Sequence, residues 1–342
     1  MGRAERRRSG LALAVLALAV LVGTGAGCSA EGEERREPLA TASSGASPAL
    51  RSDRWTALRP SPLARTEVAA ARLGRSVYVA GGFERASGAT TAAVERYDIG
   101  TNRWARVRAM PLALNHAAAV ARRGALYVVG GYEQAGSSSR EVASLLRYDP
   151  RRDRWRRLTP PPTARGALAA AVVGDRLYAL GGAASGRALA TVEVYDFERD
   201  RWASGPALGV AREHLAAAAA GGAVYALAGR ASGQGNFAVA ERLRAGGRRW
   251  RRLPDMRKAR GGIAAAAHGR RVVVFGGEEA AGTIREVELF DPARERWRRL
   301  PDLRIPRHGL GGVAYRDRVY AIQGGPQPGL FYSSALEALT VR

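Results

Sequence analysis

Ten residues after each of the six tryptophans (Trp55, Trp104, Trp155, Trp202, Trp250 and Trp297) stand Arg65, Leu114, Arg165, Arg212, Arg260 and Arg307, five arginines in one phase. A guanidinium presents a planar fork of donors that matches a carboxylate, so a ring of such groups suits an acidic ligand. Two positions further on come Glu67, His116, Ala167, His214, Gly262 and Gly309. A carboxylate and an imidazole in neighbouring repeats can divide acid and base work between them, which makes Glu67 and His116 the candidate catalytic pair. Metal and cofactor are expected to be absent. The four histidines, His116, His214, His268 and His308, are far apart, without His-x-x-x-His or His-Glu-x-x-His spacing. No P-loop, Gly-x-Ser-x-Gly elbow or dinucleotide fingerprint occurs either.

The elements that position these residues form a repeat. The tryptophans are spaced by 49, 51, 47, 48 and 47 residues, and each follows an arginine. Seven residues before five of them stands Tyr97, Tyr148, Tyr195, Leu243 or Phe290, followed in four cases by Asp98, Asp149, Asp196 or Asp291. The arginine before each tryptophan is expected to be structural, pairing with that turn aspartate. Upstream lie Gly81-Gly82, Gly130-Gly131, Gly181-Gly182, Gly276-Gly277 and Gly324-Gly325, with Ala228-Gly229 as the degenerate member. Runs such as VYVA (77–80), LYVV (126–129) and VVVF (272–275) are β-prone and end in glycine, as a strand buried on both faces requires.

This pattern resembles the kelch repeat over about residues 53–342. The resemblance implies an all-β fold, a six-bladed β-propeller with four antiparallel strands per blade. The alanine-rich stretches 168–173 and 215–223 look helical by propensity, yet their phase assigns them to the innermost strands, where crowding favours small residues. Because the last repeat ends at Val341-Arg342 without a tryptophan, SDRWTAL (52–58) is predicted to supply the outer strand of the sixth blade. YAIQGG is one residue longer than its counterparts, which predicts a bulge or a shift of the signature pair to Gln323-Gly324.

In a kelch propeller the arginine phase and the loops after the glycine pairs share one face. Those loops begin with Phe83, Tyr132, Ala183, Arg230, Glu278 and Pro326. The ligand-binding set read from this face is Arg65, Arg165, Arg212, Arg260, Arg307, Tyr132, His214, Arg230 and Glu278; arginines of this phase also commonly hold blade connections through backbone carbonyls. The copper site of galactose oxidase, another kelch propeller, does not carry over, because it needs a cysteine beyond the single Cys28.

The chain's 342 residues carry a net charge of +23, and only Lys258 among 54 basic residues is lysine. Nucleic acid is not the expected partner, because the N-terminus reads as an export address. Arg3, Arg6, Arg7 and Arg8 precede twelve uncharged apolar residues, Leu11 to Val22, too few to span a bilayer but right for a signal peptide. Gly25-Ala26-Gly27-Cys28 resembles the lipobox of bacterial lipoproteins, with Gly25 where leucine is usual. Residues 1–27 are thus expected to be a lipoprotein-type signal peptide, 28–51 the lipidated cysteine and a flexible tether, and 52–342 the propeller, with ordinary secretion as the alternative that Gly25 leaves open.

The functional expectation is a membrane-tethered extracytoplasmic binding module of the bacterial cell envelope, with a protein or anionic glycan on its loop-rich face. The absence of a catalytic template favours binding over catalysis. The alternative is a carbohydrate-active enzyme resembling the sialic-acid mutarotases, which are also secreted six-bladed kelch propellers.

Overall fold

A computed structural model describes residues 54–135 and 138–342. The signal-peptide, Cys28 and tether expectations lie outside the described residues.

Six four-stranded antiparallel sheets surround an axis. The first blade runs Ala69–Leu73, Ser76–Ala80, Val94–Asp98 and Arg103–Val107 from the axis outward. Four more blades repeat this order, starting from the inner strands Ala118–Arg122, Ala169–Val173, Ala216–Ala220 and Ala264–His268. The alanine runs are therefore strands, as their repeat phase demands. Each inner strand packs against both neighbouring inner strands. At Gly312, in the sixth inner strand Gly311–Tyr315, an added Cβ would come within 2.8 Å of the Ala264 Cβ. That distance shows why only small residues fit near the axis.

The sixth blade closes as expected. Its outer strand is Thr56–Ala57, paired antiparallel with Leu336–Thr340 through Thr56↔Ala338 and Ala57↔Glu337. Closure joins the two ends of the domain and leaves no unpaired blade edge at the seam. Gln323 (φ 55°) and Gly324 (φ 95°) hold the conformation that Gly81 (φ 65°) and Gly82 (φ 92°) hold in the first blade, so the signature pair is Gln323-Gly324. The Gln323 side chain is buried and donates to Ser61 Oγ and the Leu63 carbonyl, adding a polar seam across the closure.

All six indole N–H groups donate to a backbone carbonyl of the preceding outer connection: Pro301, Arg59, Arg108, Thr159, Pro206 and Pro254 in turn, at 2.8–2.9 Å. The regular tryptophan spacing thus records a staple between successive blades. The turn aspartates pair differently from expectation. Asp149, Asp196 and Asp291 bind Arg152, Arg199 and Arg294, three residues on, because the tight turn places that side chain alongside the carboxylate.

Candidate functional site

Residues Arg65, Arg165, Arg212, Arg260 and Arg307 are almost fully buried. Each guanidinium is held by a buried glutamate of the third strand of its own blade: Glu95, Glu193, Glu241, Glu288 or Glu337. Backbone carbonyls take further donors; Arg65, for example, donates to Gly81 and Ala93 at 2.9 Å. Burial lowers all five pKa values against the raising effect of the glutamates, and Arg307 falls to about 10, still charged at neutral pH. The ligand-facing ring of cations expected from the sequence is therefore corrected. These five groups face their own sheets, because a buried guanidinium needs its charge and donors matched there.

The second blade departs from the rule as a unit. Leu114 stands at the arginine position and Leu146 at the glutamate position, and the two share one apolar cluster. The backbone link does not depend on the side chain. The Leu114 carbonyl accepts from the Gly82 N–H as the carbonyls of Arg165, Arg212, Arg260, Arg307 and Arg65 accept from Gly131, Gly182, Gly229, Gly277 and Gly324.

Two residues further on the chain turns inward. Glu67, His116, Ala167, His214, Gly262 and Gly309 all take positive φ, between 50° and 66°. Their backbones form a closed hydrogen-bonded circle: each N–H from His116 to Gly309 donates to the preceding member's carbonyl, and Val68 N–H donates to Gly309. Glycine is at home in this conformation, whereas glutamate, histidine and alanine are strained by about 1–3 kcal/mol. At Gly309 glycine is required on space as well, since a Cβ would fall 2.4 Å from Glu67 Oε1.

The circle opens into a cavity of about 110 Å³ on the axis, lined by these six residues and the apolar residue after each. Loops from the second strands meet it on the same face. Tyr132 pairs its backbone with Asn115, Arg230 with Glu213 and Glu278 with Gly261. Here charged groups from four blades converge. Glu67 Oε2 lies 3.3 Å from His116 Nε2, and Glu67 Oε1 lies 3.1 Å from His308 Nδ1, which is 3.5 Å from Glu278 Oε2. Arg230 binds Glu213 Oε1 at 2.8 Å and Glu278 Oε1 at 2.6 Å. The His116 ring contacts those of Phe83, Tyr132 and His214 edge-on, with centroids 5.9, 5.5 and 4.8 Å away.

Burial, the main cause, pushes His116 down to about 4 despite Glu67, so its imidazole is neutral at pH 7. Burial works to raise Glu67, but the imidazoles of His116, His308 and His214 overcome it and hold the carboxyl well below the usual range. His308 moves up, because Glu67 and Glu278 outweigh its burial. Arg230 likewise rises against burial through Glu213 and Glu278, which complete its neutralisation. Burial, helped by Glu213 and Glu141, takes the Tyr132 phenol up to about 12.

Of the residues singled out in the sequence, Glu67, His116, His214, Tyr132, Arg230 and Glu278 are brought together at this mouth, and the five phase arginines are not. Asn115, Glu213 and His308 belong to the cluster and escaped sequence reasoning. They share one repeat phase, the residue just before the circle, and that phase was the available signal. Ligand atoms of Glu67, His116 and His214 lie within 4.8 Å of one another. Spacing along one element could not reveal this grouping, because each comes from a different blade.

The repeats, the closed ring of sheets and the glycine signatures define the class, and the chain belongs to the kelch-repeat family. The family model of the KLHDC2/KLHL20/DRC7 kelch-repeats domain matches residues 67–254, and that of the kelch motif matches residues 259–304. The chain is similar to the solved structure of YjhT, with a TM-score of 0.70 at 15% identity over 82% of this chain and 96% of that one. At that identity the likeness concerns the fold. No curated protein matches the chain.

Proposed function

We propose that the protein is an interaction module of the bacterial cell envelope, which presents its loop-bearing face to a protein partner from a tether outside the cytoplasmic membrane. A kelch propeller suggests protein interaction, and one observation carries the assignment of the face. The large hydrophobic side chains exposed among the described residues, Leu330 (57%), Phe331 (44%) and Ile305 (39%), all belong to connections of the sixth blade on that face. The loop bearing the first two is fixed to the axis, where His308 Nε2 bonds the Gly329 carbonyl at 3.0 Å. Exposed apolar anchors on a rigid frame are what a protein interface uses. An anionic glycan loses its main support with the burial of the five arginines, and Arg230 is already matched by two carboxylates. The test is capture of a stoichiometric partner by the protein and by Leu330→Ser/Phe331→Ser. The reading expects partner affinity to fall at least about tenfold at an unchanged melting temperature. Undiminished capture by the variant contradicts it.

Export and anchoring rest on the sequence of residues 1–28. Cells fed labelled palmitate should label the protein, and Cys28→Ala should abolish the label. An unlabelled wild type removes the anchor.

A second reading, acid–base chemistry on an acidic sugar, is favoured by the 3.3 Å approach of Glu67 to His116. The cavity of about 110 Å³ weighs against it, since pockets for small molecules run to about 300–1,000 Å³. Accelerated sugar anomerisation in an NMR assay, lost in Glu67→Gln, would establish it.

A further inference from the structure

Three features of the axial cluster point to an ion rather than to a larger ligand. The first is how the two imidazoles are held. His116 Nδ1 lies 2.5 Å from Asn115 Oδ1, and the Asn115 amide is oriented by its own donation to Thr90 Oγ1 at 2.7 Å. His214 Nδ1 is bonded to Glu213 Oε2. Each partner is the side chain of the preceding residue, and a ring proton placed on Nδ1 to serve it leaves the Nε2 lone pair for a metal. A carbonyl or carboxylate on the far nitrogen is the arrangement that fixes tautomer and orientation in metal-ligating histidines.

The second feature is spacing. Two ligands at about 2.0–2.1 Å from a tetrahedral ion stand about 3.4 Å apart, and Glu67 Oε2 and His116 Nε2 are 3.3 Å apart. The His214 atom lies within 4.8 Å of both. Arg230 does not occupy its lone pair. The guanidinium Nη2 is 3.2 Å from Nε2 and 3.4 Å from Nδ1, a nearly equidistant position over the ring face, and its charge is matched by Glu213 and Glu278.

The third feature is the pairing of the other carboxylate oxygen. His308, 3% exposed in its side chain, sets its Nδ1 3.1 Å from Glu67 Oε1 and leaves Oε2 on the side of His116. The cavity of about 110 Å³ has room for an ion and a few waters.

We propose that Glu67, His116 and His214 bind one divalent transition-metal ion of the zinc class on the propeller axis, through one carboxylate oxygen and two imidazole Nε2 atoms. Two histidines and one carboxylate leave a coordination position open.

Calorimetric titration of the purified chelator-treated protein with ZnCl₂ tests this, with CoCl₂ followed by visible absorption. One equivalent should bind, and His116→Gln or His214→Gln should weaken binding by about 100-fold or more while His268→Gln leaves it unchanged. No saturable binding of either ion overturns the proposal, as does equal binding by well-folded His116→Gln/His214→Gln protein. Should those variants fail to fold, the wild type still decides. Co²⁺ must shift or broaden the imidazole NMR signals of His116 and His214 and spare His268; any other pattern contradicts the site.

Discussion

Two rings of residues, two positions apart in every repeat, meet opposite fates. The first ring holds five arginines, each buried against its own glutamate. The second turns through positive φ and lines the axial cavity. The rings differ in what compensates each polar group. In the first, charge is matched within one sheet and the guanidinium is shut away from solvent, so it is not presented to a ligand. In the second, Glu67 meets His116 and His308 from other blades, while His116 and His214 turn Nδ1 to the side chain of the preceding residue and the Nε2 of His116 faces Glu67. The second blade sharpens the contrast, since Leu114 and Leu146 replace the arginine and glutamate together. An ion pair exchangeable as a unit for two leucines belongs to the scaffold, because a well-packed apolar pair substitutes for a buried salt bridge at little cost.

The largest effect should come from unpairing the buried ring. Arg165→Leu alone leaves Glu193 buried and uncompensated, and unfolding in urea should show a loss of about 3–5 kcal/mol. A loss below about 1 kcal/mol would make Arg165 a surface-like pair and undo the contrast.

The axial ring should respond to backbone rather than charge. Gly309→Ala should cost about 2 kcal/mol, because the new Cβ meets Glu67 at φ 57°. Ala167→Gly relieves the same conformation (φ 52°) and should raise stability by about 1 kcal/mol in the same assay. Equal responses at both positions would show that positive φ is not what the circle selects.

The smallest effect concerns His268, the one histidine outside the cluster at the mouth, at the end of the fifth inner strand. Burial, with Arg271, lowers its pKa in the fold. The fold therefore prefers the neutral ring, and this contribution is present above the unfolded value of about 6.5 and is lost as pH falls from there through the lower folded value. Melting temperatures from pH 7 to 5 should fall less steeply in His268→Gln than in the wild type. An unchanged slope would mean that the ring titrates as it does in the unfolded chain.

The ring of blades was legible because each tryptophan marks one staple, and because the unpaired Trp55 could only belong to the last sheet. The alanine strands were legible by phase and misleading by propensity, since crowding at the axis overrides a helical preference. For the arginines the structural alternative, a guanidinium holding backbone carbonyls, is the one the fold realises, and the ligand-facing reading misled because charge in a sequence does not show which carboxylate lies across the sheet. The correlation was nonetheless present: Glu95, Glu193, Glu241, Glu288 and Glu337 share one phase, and the repeat that lacks the arginine has Leu146 there. The axial cluster was half legible. Glu67, His116 and His214 stood out by phase, whereas Asn115, Glu213 and His308 acquire meaning only when the chain's reversal at positive φ turns their side chains to the same mouth.

The division between the rings is tested most directly by transplanting the second blade's solution into the third. The unfolding free energy of Arg165→Leu/Glu193→Leu should lie within about 1 kcal/mol of the wild type, recovering most of the loss caused by Arg165→Leu alone. A double variant as unstable as the sum of its single changes would contradict the assignment of the arginine ring to the scaffold.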